Sequence, residues 1–184
     1  MAKTKIHPLV EALVKVLRER GETVSFAESC TGGLLSAAVT KMAGVSDVYQ
    51  GSVVAYSYEV KEKLLGVPRD VLHSLGAVSL PVAQAMADGA RSALDSTWAV
   101  SITGIAGPGG GTPQKPVGTV CFGVSGPNVE MAEQHNFSGD RREIQKASAE
   151  HALKLLLAEL GLDEQPDRVP GKRSENVGNR VKKS

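Results

Sequence analysis

Strand-like segments alternate with amphipathic segments along most of the chain, and this alternation constrains the fold more than any other feature. Short apolar runs bounded by Gly, Pro, Asn or Ser favour strands, whereas apolar residues at helical spacing favour helices. Strands are predicted over 23–27, 48–56, 98–103, 117–124 and 129–137. Helices are predicted from Pro8 to just before Gly21 and over 33–43, 58–65, 80–94 and 140–160.

Helices between strands imply crossover connections, whereas the turn at 125–128 joins the last two strands as a hairpin. The sequence therefore predicts an α/β fold, a three-layer α/β/α sandwich with a five-stranded mixed sheet. The continuous apolar stretch at 53–55 is typical of a buried strand. Only 4% of residues are aromatic, so Ala, Val and Leu must fill the core.

The chain of 184 residues is long enough for one domain, which we place at 1–162. Residues 163–184 carry six basic and four acidic residues, net +2, and three Val as their apolar residues. Such a segment cannot bury enough apolar surface to offset its ordering entropy, so a disordered basic tail is predicted.

Charge and cysteine content exclude several classes of protein. The 21 Lys and Arg nearly balance the 20 Asp and Glu, so there is no strong nucleic-acid signal. Two cysteines cannot form a disulfide scaffold, which favours a reducing compartment. Charged residues interrupt every apolar run before it reaches membrane-spanning length. We therefore expect a soluble, cytoplasmic protein without a membrane segment.

The first candidate site is the segment ESCTGG at 28–33, between a predicted strand and a predicted helix. Backbone N–H groups at a helix amino terminus suit an anion or an oxyanion. Ser29 and Cys30 are candidate nucleophiles there, as in the strand–turn–helix elbow of hydrolases. The simpler alternative is that Ser29 or Thr31 only caps the helix.

The second candidate site is the glycine-rich segment TGIAGPGGGTP at 103–113. It follows a predicted strand, and open α/β sheets bind ligands at that edge. Successive glycines can form a nest of N–H groups for phosphate. The segment is neither a Walker loop nor a GxGxxG fingerprint, and a flexible loop is the alternative. The candidate binding residues are Thr103, Gly104, Gly107, Gly109, Gly110 and Gly111.

A general base for Ser29 is best sought among the lysines. The four histidines are scattered and show no ligand or triad spacing. At about 100° per residue, Lys61 falls within the apolar arc from Val60 through Leu64 to Leu65, so this helix turns it towards the protein. Desolvation lowers the pKa of a buried lysine, as a lysine base requires. A lysine whose stem packs at the edge of the core is the alternative.

Six ordered blocks resemble one family, that of the CinA C-terminal domain. They are AESCTGG at 27–33, GSVVAYSYEVK at 51–61, LLGV at 64–67, GAVS at 76–79, TGIAGPGGGTPQKPVGTV at 103–120 and FSGDR at 137–141. The resemblance covers about residues 6–162. Full-length CinA proteins carry a large additional N-terminal domain, so we expect its activity to be absent here.

The resemblance implies a fold and a reaction. The implied fold is a three-layer α/β/α sandwich with a five-stranded mixed sheet. The implied reaction hydrolyses the carboxamide of nicotinamide mononucleotide (NMN) to nicotinic acid mononucleotide and ammonia, in NAD recycling, without a metal or other cofactor. The implied catalytic pair is a Ser29/Lys61 dyad. The resemblance also implies a homo-oligomer, for which exposed apolar positions of 80–94 could serve.

Further roles follow on this hypothesis. Tyr56 would orient Lys61 or the ribose, and Arg141 with the glycine nest at 107–111 would hold the 5′-phosphate. Amides of Thr31, Gly32 and Gly33 would bind the oxyanion. Cys30 as nucleophile stays open, as does a non-catalytic nucleotide-binding module linked to competence or DNA damage.

Two positions depart from the family pattern. Tyr58 stands where Asn is usual, which predicts an adjusted substrate pocket. After the GDR segment at 139–141 the family usually has a further arginine a few residues on, whereas this chain has Arg142 directly after the segment and Gln145 later. We therefore expect part of the phosphate contact to differ from that of the family.

Overall fold

The computed structural model of the protein describes residues 6–162, and the predicted tail at 163–184 lies outside them. Each predicted strand and helix is found within this range, with ends shifted by a few residues. The strands are β1 (Val24–Glu28), β2 (Tyr49–Val54), β3 (Trp98–Gly104), β4 (Thr119–Gly126) and β5 (Val129–Asn136). The helices are α1 (Ile6–Arg20), α2 (Leu34–Thr40), α3 (Tyr58–Leu65), α4 (Arg69–Leu75), α5 (Leu80–Ala93) and α6 (Arg141–Glu159), with a 3₁₀ turn at Val45–Asp47.

The five strands form one mixed sheet in the order β2-β1-β3-β4-β5. β1 pairs in parallel with both β2 and β3, whereas β3, β4 and β5 pair antiparallel in succession. Parallel neighbours align their carboxyl ends, so the segments that follow β1, β2 and β3 emerge at one edge of the sheet. Both sequence-predicted candidate segments follow these strands.

Helices cover both faces of the sheet, which confirms the predicted α/β/α sandwich. On one face, a core that includes Leu13, Phe26 and Leu153 joins α1, α2 and α6 to the sheet. On the other face, a smaller core that includes Leu65 and Met86 joins α3 and α5 to the sheet. Small residues such as Ala and Val make up much of both cores, as the low aromatic content requires.

Three details differ from the sequence prediction. β2 is an edge strand, so Val54 is 46% exposed although its apolar run favoured a buried strand. Leu64 lies within the predicted apolar arc of α3, yet it is 56% exposed because the helix packs on the protein through Lys61 and Leu65. Helix α4 was not predicted, because four of its seven residues are charged or polar in a short segment after Pro68.

Helix α5 buries its apolar face against the sheet, through Val82, Met86 and Ala90 among others. Leu80, at its first position, is the large apolar side chain that α5 leaves exposed. The homo-oligomer stays a prediction, and this helix offers it little apolar surface. None of the helices within residues 6–162 combines the length and apolar character needed to span a membrane.

Candidate active site

The turn after β1 carries Ser29 at the carboxyl edge of the parallel strands. The N–H of Ser29 donates to the carbonyl of Ile102 at 2.9 Å, which continues the β1–β3 pairing by one residue. Successive residues of a strand point to opposite faces of the sheet. The Glu28 side chain accordingly contacts α2, whereas the Ser29 side chain contacts Lys61 of α3. Ser29 is buried, with 7% of its surface exposed at the floor of a cavity.

The carboxylate of Glu28 occupies the amino terminus of α2, where the sequence predicted that a ligand anion or an oxyanion would bind. It accepts four hydrogen bonds of 2.7–3.1 Å, from the N–H groups of Gly33, Leu35 and Ser36 and from the Ser36 hydroxyl. The N–H of Gly32 donates to the carbonyl three residues earlier at 3.1 Å. The helix dipole is therefore matched by the protein's own buried carboxylate, and two of the three predicted oxyanion amides already donate within the turn.

Thr31, the third residue of that prediction, is buried at 4% exposure. Its hydroxyl has no hydrogen-bond partner among the described residues. A buried hydroxyl without a partner is uncommon, because its desolvation is not compensated.

Lys61 projects from α3 into the protein, as its place in the apolar arc predicted. Its side chain is fully buried, whereas the neighbouring Lys63 is exposed. Ser57 caps the helix by accepting the N–H of Val60, which sets the start of α3 and hence the direction of Lys61. The Lys61 ammonium nitrogen Nζ lies 3.0 Å from Ser29 Oγ.

Two backbone carbonyls hold the same nitrogen in place. Nζ of Lys61 lies 2.5 Å from the Ala55 carbonyl oxygen and 3.5 Å from that of Tyr56. A carbonyl can only accept, so a neutral amine can give its two N–H groups to these oxygens and turn its lone pair to Ser29. The arrangement suits proton transfer from the Ser29 hydroxyl to the lysine.

Burial lowers the pKa of Lys61 from its usual 10.5 to about 8. The dominant cause is desolvation, which penalises the charged ammonium, and a smaller influence of Cys30 acts in the opposite direction. A lysine with this pKa is partly neutral near neutral pH, as a general base must be.

Cys30 is less suited to act as the nucleophile. Burial raises the pKa of its thiol to about 12, although Lys61 and Arg141 act to lower it. The reactive form of cysteine is the thiolate, so a buried thiol with a raised pKa is a poor nucleophile. The burial and raised pKa of Cys30 therefore favour Ser29 over Cys30 as the candidate nucleophile.

The glycine-rich loop after β3 forms the opposite wall of the cavity, and charged side chains fix its position. Arg141 donates to the carbonyl of Gly107 at 2.7 Å and to the hydroxyl of Tyr56 at 3.3 Å. Lys115 donates to the carbonyls of Leu75 and Val78 at 2.9 and 2.6 Å. A guanidinium has five donors, so Arg141 can hold the loop and still bind a ligand.

Some of these glycines are required by packing. A Cβ at Gly104 would lie 2.7 Å from a side-chain atom of Val120, and one at Gly107 would lie 2.6 Å from Val117. Gly107 also has a φ of +77°, a conformation that favours glycine. At Gly109, by contrast, an added Cβ would meet nothing within 4 Å.

Most of the predicted site residues surround one cavity of about 260 Å³. The structure places the predicted residues Thr31, Gly32, Gly33 and Gly111 outside its lining. Sequence reasoning missed Ala77 and Val78, whose only signal was the GAVS block. The predicted residues in the lining are Ser29, Tyr56, Lys61, Thr103, Gly104, Gly107, Gly109, Gly110 and Arg141.

Residues 6–160 match the CinA C-terminal domain. The chain belongs to the CinA C-terminal domain family. It is 52% identical over 155 residues to a CinA-like protein of an Anaeromyxobacter species, and 47% identical over 150 residues to one of Prochlorococcus marinus. These alignments cover 84% and 80% of this chain. The chain spans 37% and 36% of the length of those curated relatives, little more than a third.

Solved CinA-superfamily structures share the fold of this chain. One is a competence/damage-inducible protein from Agrobacterium tumefaciens, with 38% identity and a TM-score of 0.82 over 86% of this chain and 98% of that one. Another is the competence damage-inducible protein A from Klebsiella pneumoniae, with 32% identity and a TM-score of 0.82 over 85% and 97% of the two chains.

The two residues for which a departure from the family pattern is expected have clear places in the structure. The hydroxyl of Tyr58 accepts the N–H of Ala77 at 3.1 Å, so it positions part of the cavity wall. The amide of Gln145 donates to the carbonyl of Cys30 at 2.8 Å, so it holds the turn that carries Ser29.

The prediction that the histidines are scattered is wrong for two of them. His135 and His151 lie next to each other and both contact Glu133. Residues 135 and 151 are distant in sequence, and no spacing rule connects a β-strand position with one on a later helix. These side chains do not line the cavity around Ser29.

Proposed function

We propose that this protein hydrolyses the carboxamide of NMN to nicotinic acid mononucleotide and ammonia, using Ser29 as nucleophile and Lys61 as general base. The observation that carries the proposal is the distance of 3.0 Å between the buried Lys61 Nζ and Ser29 Oγ. The lowered pKa of Lys61 supports it, because only the neutral amine can take a proton.

In the first half-reaction, neutral Lys61 takes the hydroxyl proton of Ser29 while Oγ attacks the carboxamide carbon. The C=O π bond opens to a tetrahedral oxyanion. The Lys61 ammonium then gives its proton to the amide nitrogen, the C–N bond breaks, and ammonia leaves. The product of this step is an ester between Ser29 and the nicotinoyl group.

In the second half-reaction, a water molecule takes the place of the ammonia. Lys61, neutral again, removes a proton from the water as its oxygen attacks the ester carbon. Collapse of the second tetrahedral intermediate breaks the bond to Ser29 Oγ, which recovers its proton from Lys61. The carboxylic acid formed in this way loses its proton to solvent, nicotinic acid mononucleotide is released as the carboxylate, and each residue returns to its starting state.

Oxyanion stabilisation needs donors other than the Gly32 and Gly33 amides, which already donate within the turn. Cys30 follows the nucleophile and lines the cavity. In strand–turn–helix hydrolases the N–H of the residue after the nucleophile holds the oxyanion. We assign that part to the N–H of Cys30.

Arg141 is the proposed ligand of the 5′-phosphate. Its guanidinium spans the cavity mouth between the Gly107 carbonyl and the Tyr56 hydroxyl. Arginine binds phosphate through several N–H groups at once, and a phosphate at the cavity mouth leaves the inner part of the cavity for the pyridine ring near Ser29. The exposed Tyr56 hydroxyl is also within reach of the ribose in this arrangement.

Ammonia release from NMN tests the proposal, with Ser29→Ala and Cys30→Ala as a matched pair of neighbours. We expect Ser29→Ala to lower kcat by on the order of 10⁴-fold, whereas Cys30→Ala keeps most of the activity. Loss of activity in Cys30→Ala alone would instead identify the thiol as nucleophile. If the wild type binds NMN and releases no ammonia, the protein is a nucleotide-binding module and the proposal is wrong.

A further inference from the structure

A second group of polar side chains lies between β5 and α6, outside the cavity that contains Ser29. The Oε1 atom of Glu133 is 3.1 Å from Nε2 of His135 and 2.5 Å from Nε2 of His151. The two imidazole rings have centroids 4.0 Å apart. One potential ligand atom from each residue lies within 4.8 Å of the other two. Two ring nitrogens and a carboxylate oxygen therefore converge on one point.

The fold explains why these side chains meet. Residues two apart on a strand share a face, so Glu133 and His135 point to the same side of β5. Phe122 of β4 is the backbone pairing partner of Glu133 on β5. The Phe122 ring packs against His151, with ring centroids 4.7 Å apart. Phe122 belongs to the core on the α6 side of the sheet. The strand pair and α6 together thus fix the position of all three polar residues.

We propose that Glu133, His135 and His151 form a binding site for a divalent transition-metal ion, with Zn²⁺ as the ion best suited to it. Two imidazoles and one carboxylate are a ligand set that zinc accepts. In tetrahedral coordination with bonds of 2.0–2.2 Å, ligand atoms stand about 3.3 Å apart. The observed separations need adjustments on the order of 1 Å to reach this geometry.

The surroundings fit a metal ion that keeps one open position. All three side chains are partly exposed, so an ion can enter from solvent and retain a water molecule as fourth ligand. Phe122 and Phe137 pack around the two imidazoles and limit their movement. A site whose ligands are held in this way loses little side-chain entropy when the ion binds.

The expected consequence is a cross-link between the edge strand of the sheet and the closing helix. Within residues 6–162, β5 is the last strand of the sheet and pairs with β4 alone. An ion bound to β5 and α6 would tie that edge to the helix. His135 pairs with Val120, which pairs with Gly104 of the active-site wall. The site therefore lies two strand spacings, about 10 Å, from that wall.

Zn²⁺ titration of chelator-treated protein by calorimetry, at one constant pH, tests the proposal. We expect one Zn²⁺ per chain. His151→Ala and His135→Ala should each weaken binding by at least about tenfold, since each removes one ligand. His7→Ala is the matched control, because His7 pairs with Glu11 on the exposed face of α1. That control should bind Zn²⁺ as the wild type does.

Structural readouts distinguish this site from weak surface binding. Saturating Zn²⁺ should raise the thermal midpoint of the wild type and slow amide hydrogen exchange in β5 and α6. Glu133→Gln and His151→Gln keep the shape of the cluster, and they should fold without responding to the ion. The proposal is wrong if the wild type binds no Zn²⁺, or if these variants bind it as tightly as the wild type. Ammonia release should be unchanged in His151→Gln, which separates this test from that of the Ser29/Lys61 proposal.

Discussion

The pH dependence of catalysis is the sharpest test of Lys61 as a base, because burial sets a specific value for its pKa. With a pKa of about 8, roughly a fifth of the lysine is neutral at about pH 7.4. At its usual value of 10.5, about 0.1% would be neutral at the same pH. Burial thus increases the reactive fraction by roughly two hundredfold.

These fractions predict the shape of the profile for kcat/KM, which reports ionisations of the free enzyme. The value should rise with a slope of one on a logarithmic scale at low pH and level off above about pH 9. Between about pH 6 and about pH 9 the rise should be roughly 90-fold. An unperturbed lysine would give about a thousandfold rise with no plateau in that range.

Initial rates of ammonia release at low NMN concentration measure this profile directly. Lys61→Arg is the control, because a guanidinium does not lose its proton at usable pH, and it should be inactive throughout. Active Lys61→Arg enzyme would refute the role of Lys61. An inflection between about pH 6 and about pH 7 would point to a histidine instead, and a profile still rising above about pH 9.5 would show that burial does not lower the pKa as described.

Three further predictions concern stability and binding. At pH values between the folded and unfolded pKa of Lys61, the unfolded chain holds a proton there that the folded chain has lost, so the folded state becomes more stable as the pH rises. From about pH 7 to about pH 9.5, the unfolding free energy of the wild type should therefore increase by about 2 kcal/mol relative to that of Lys61→Met. Lys63→Met should show no such change in denaturant titrations. Arg141→Ala should raise KM for NMN by about tenfold or more and barely alter turnover of nicotinamide riboside, which lacks the phosphate. Gly104→Ala should lower the thermal midpoint by several degrees, whereas Gly109→Ala, in open space, should not.

The orientation of Lys61 towards the protein could be predicted from the sequence, because the angular position of a residue on a helix follows from helix geometry alone. A rotation of about 100° per residue places Lys61 between Val60 and Leu65, whatever the helix packs against. Leu64 lies in the same arc and is nevertheless exposed, because α3 contacts the rest of the protein over a narrow strip. The angular position of a residue on a helix is set by the local sequence, whereas the width of the helix face that is buried depends on the neighbouring elements.

Features that depend on packing between distant segments could not be predicted in this way. Val54 was expected in a buried strand, but the position of β2 at the sheet edge is decided by strand order. The meeting of His135 and His151 depends on how α6 lies across β5. Glu28 looked like part of a ligand site until the structure showed its carboxylate on the N–H groups of α2.

The separation of Glu28 from Lys61 keeps a buried carboxylate away from the lysine that we propose as the base. A carboxylate close to Lys61 would stabilise the ammonium and raise its pKa. Strand alternation prevents this contact, because Glu28 and Ser29 are adjacent residues that point to opposite faces of the sheet. Glu28 receives four hydrogen bonds on the α2 face, so it needs no lysine to compensate its charge. Burial therefore remains the largest influence on the pKa of Lys61, and the amine can reach the neutral state that the proposed proton transfer from Ser29 requires.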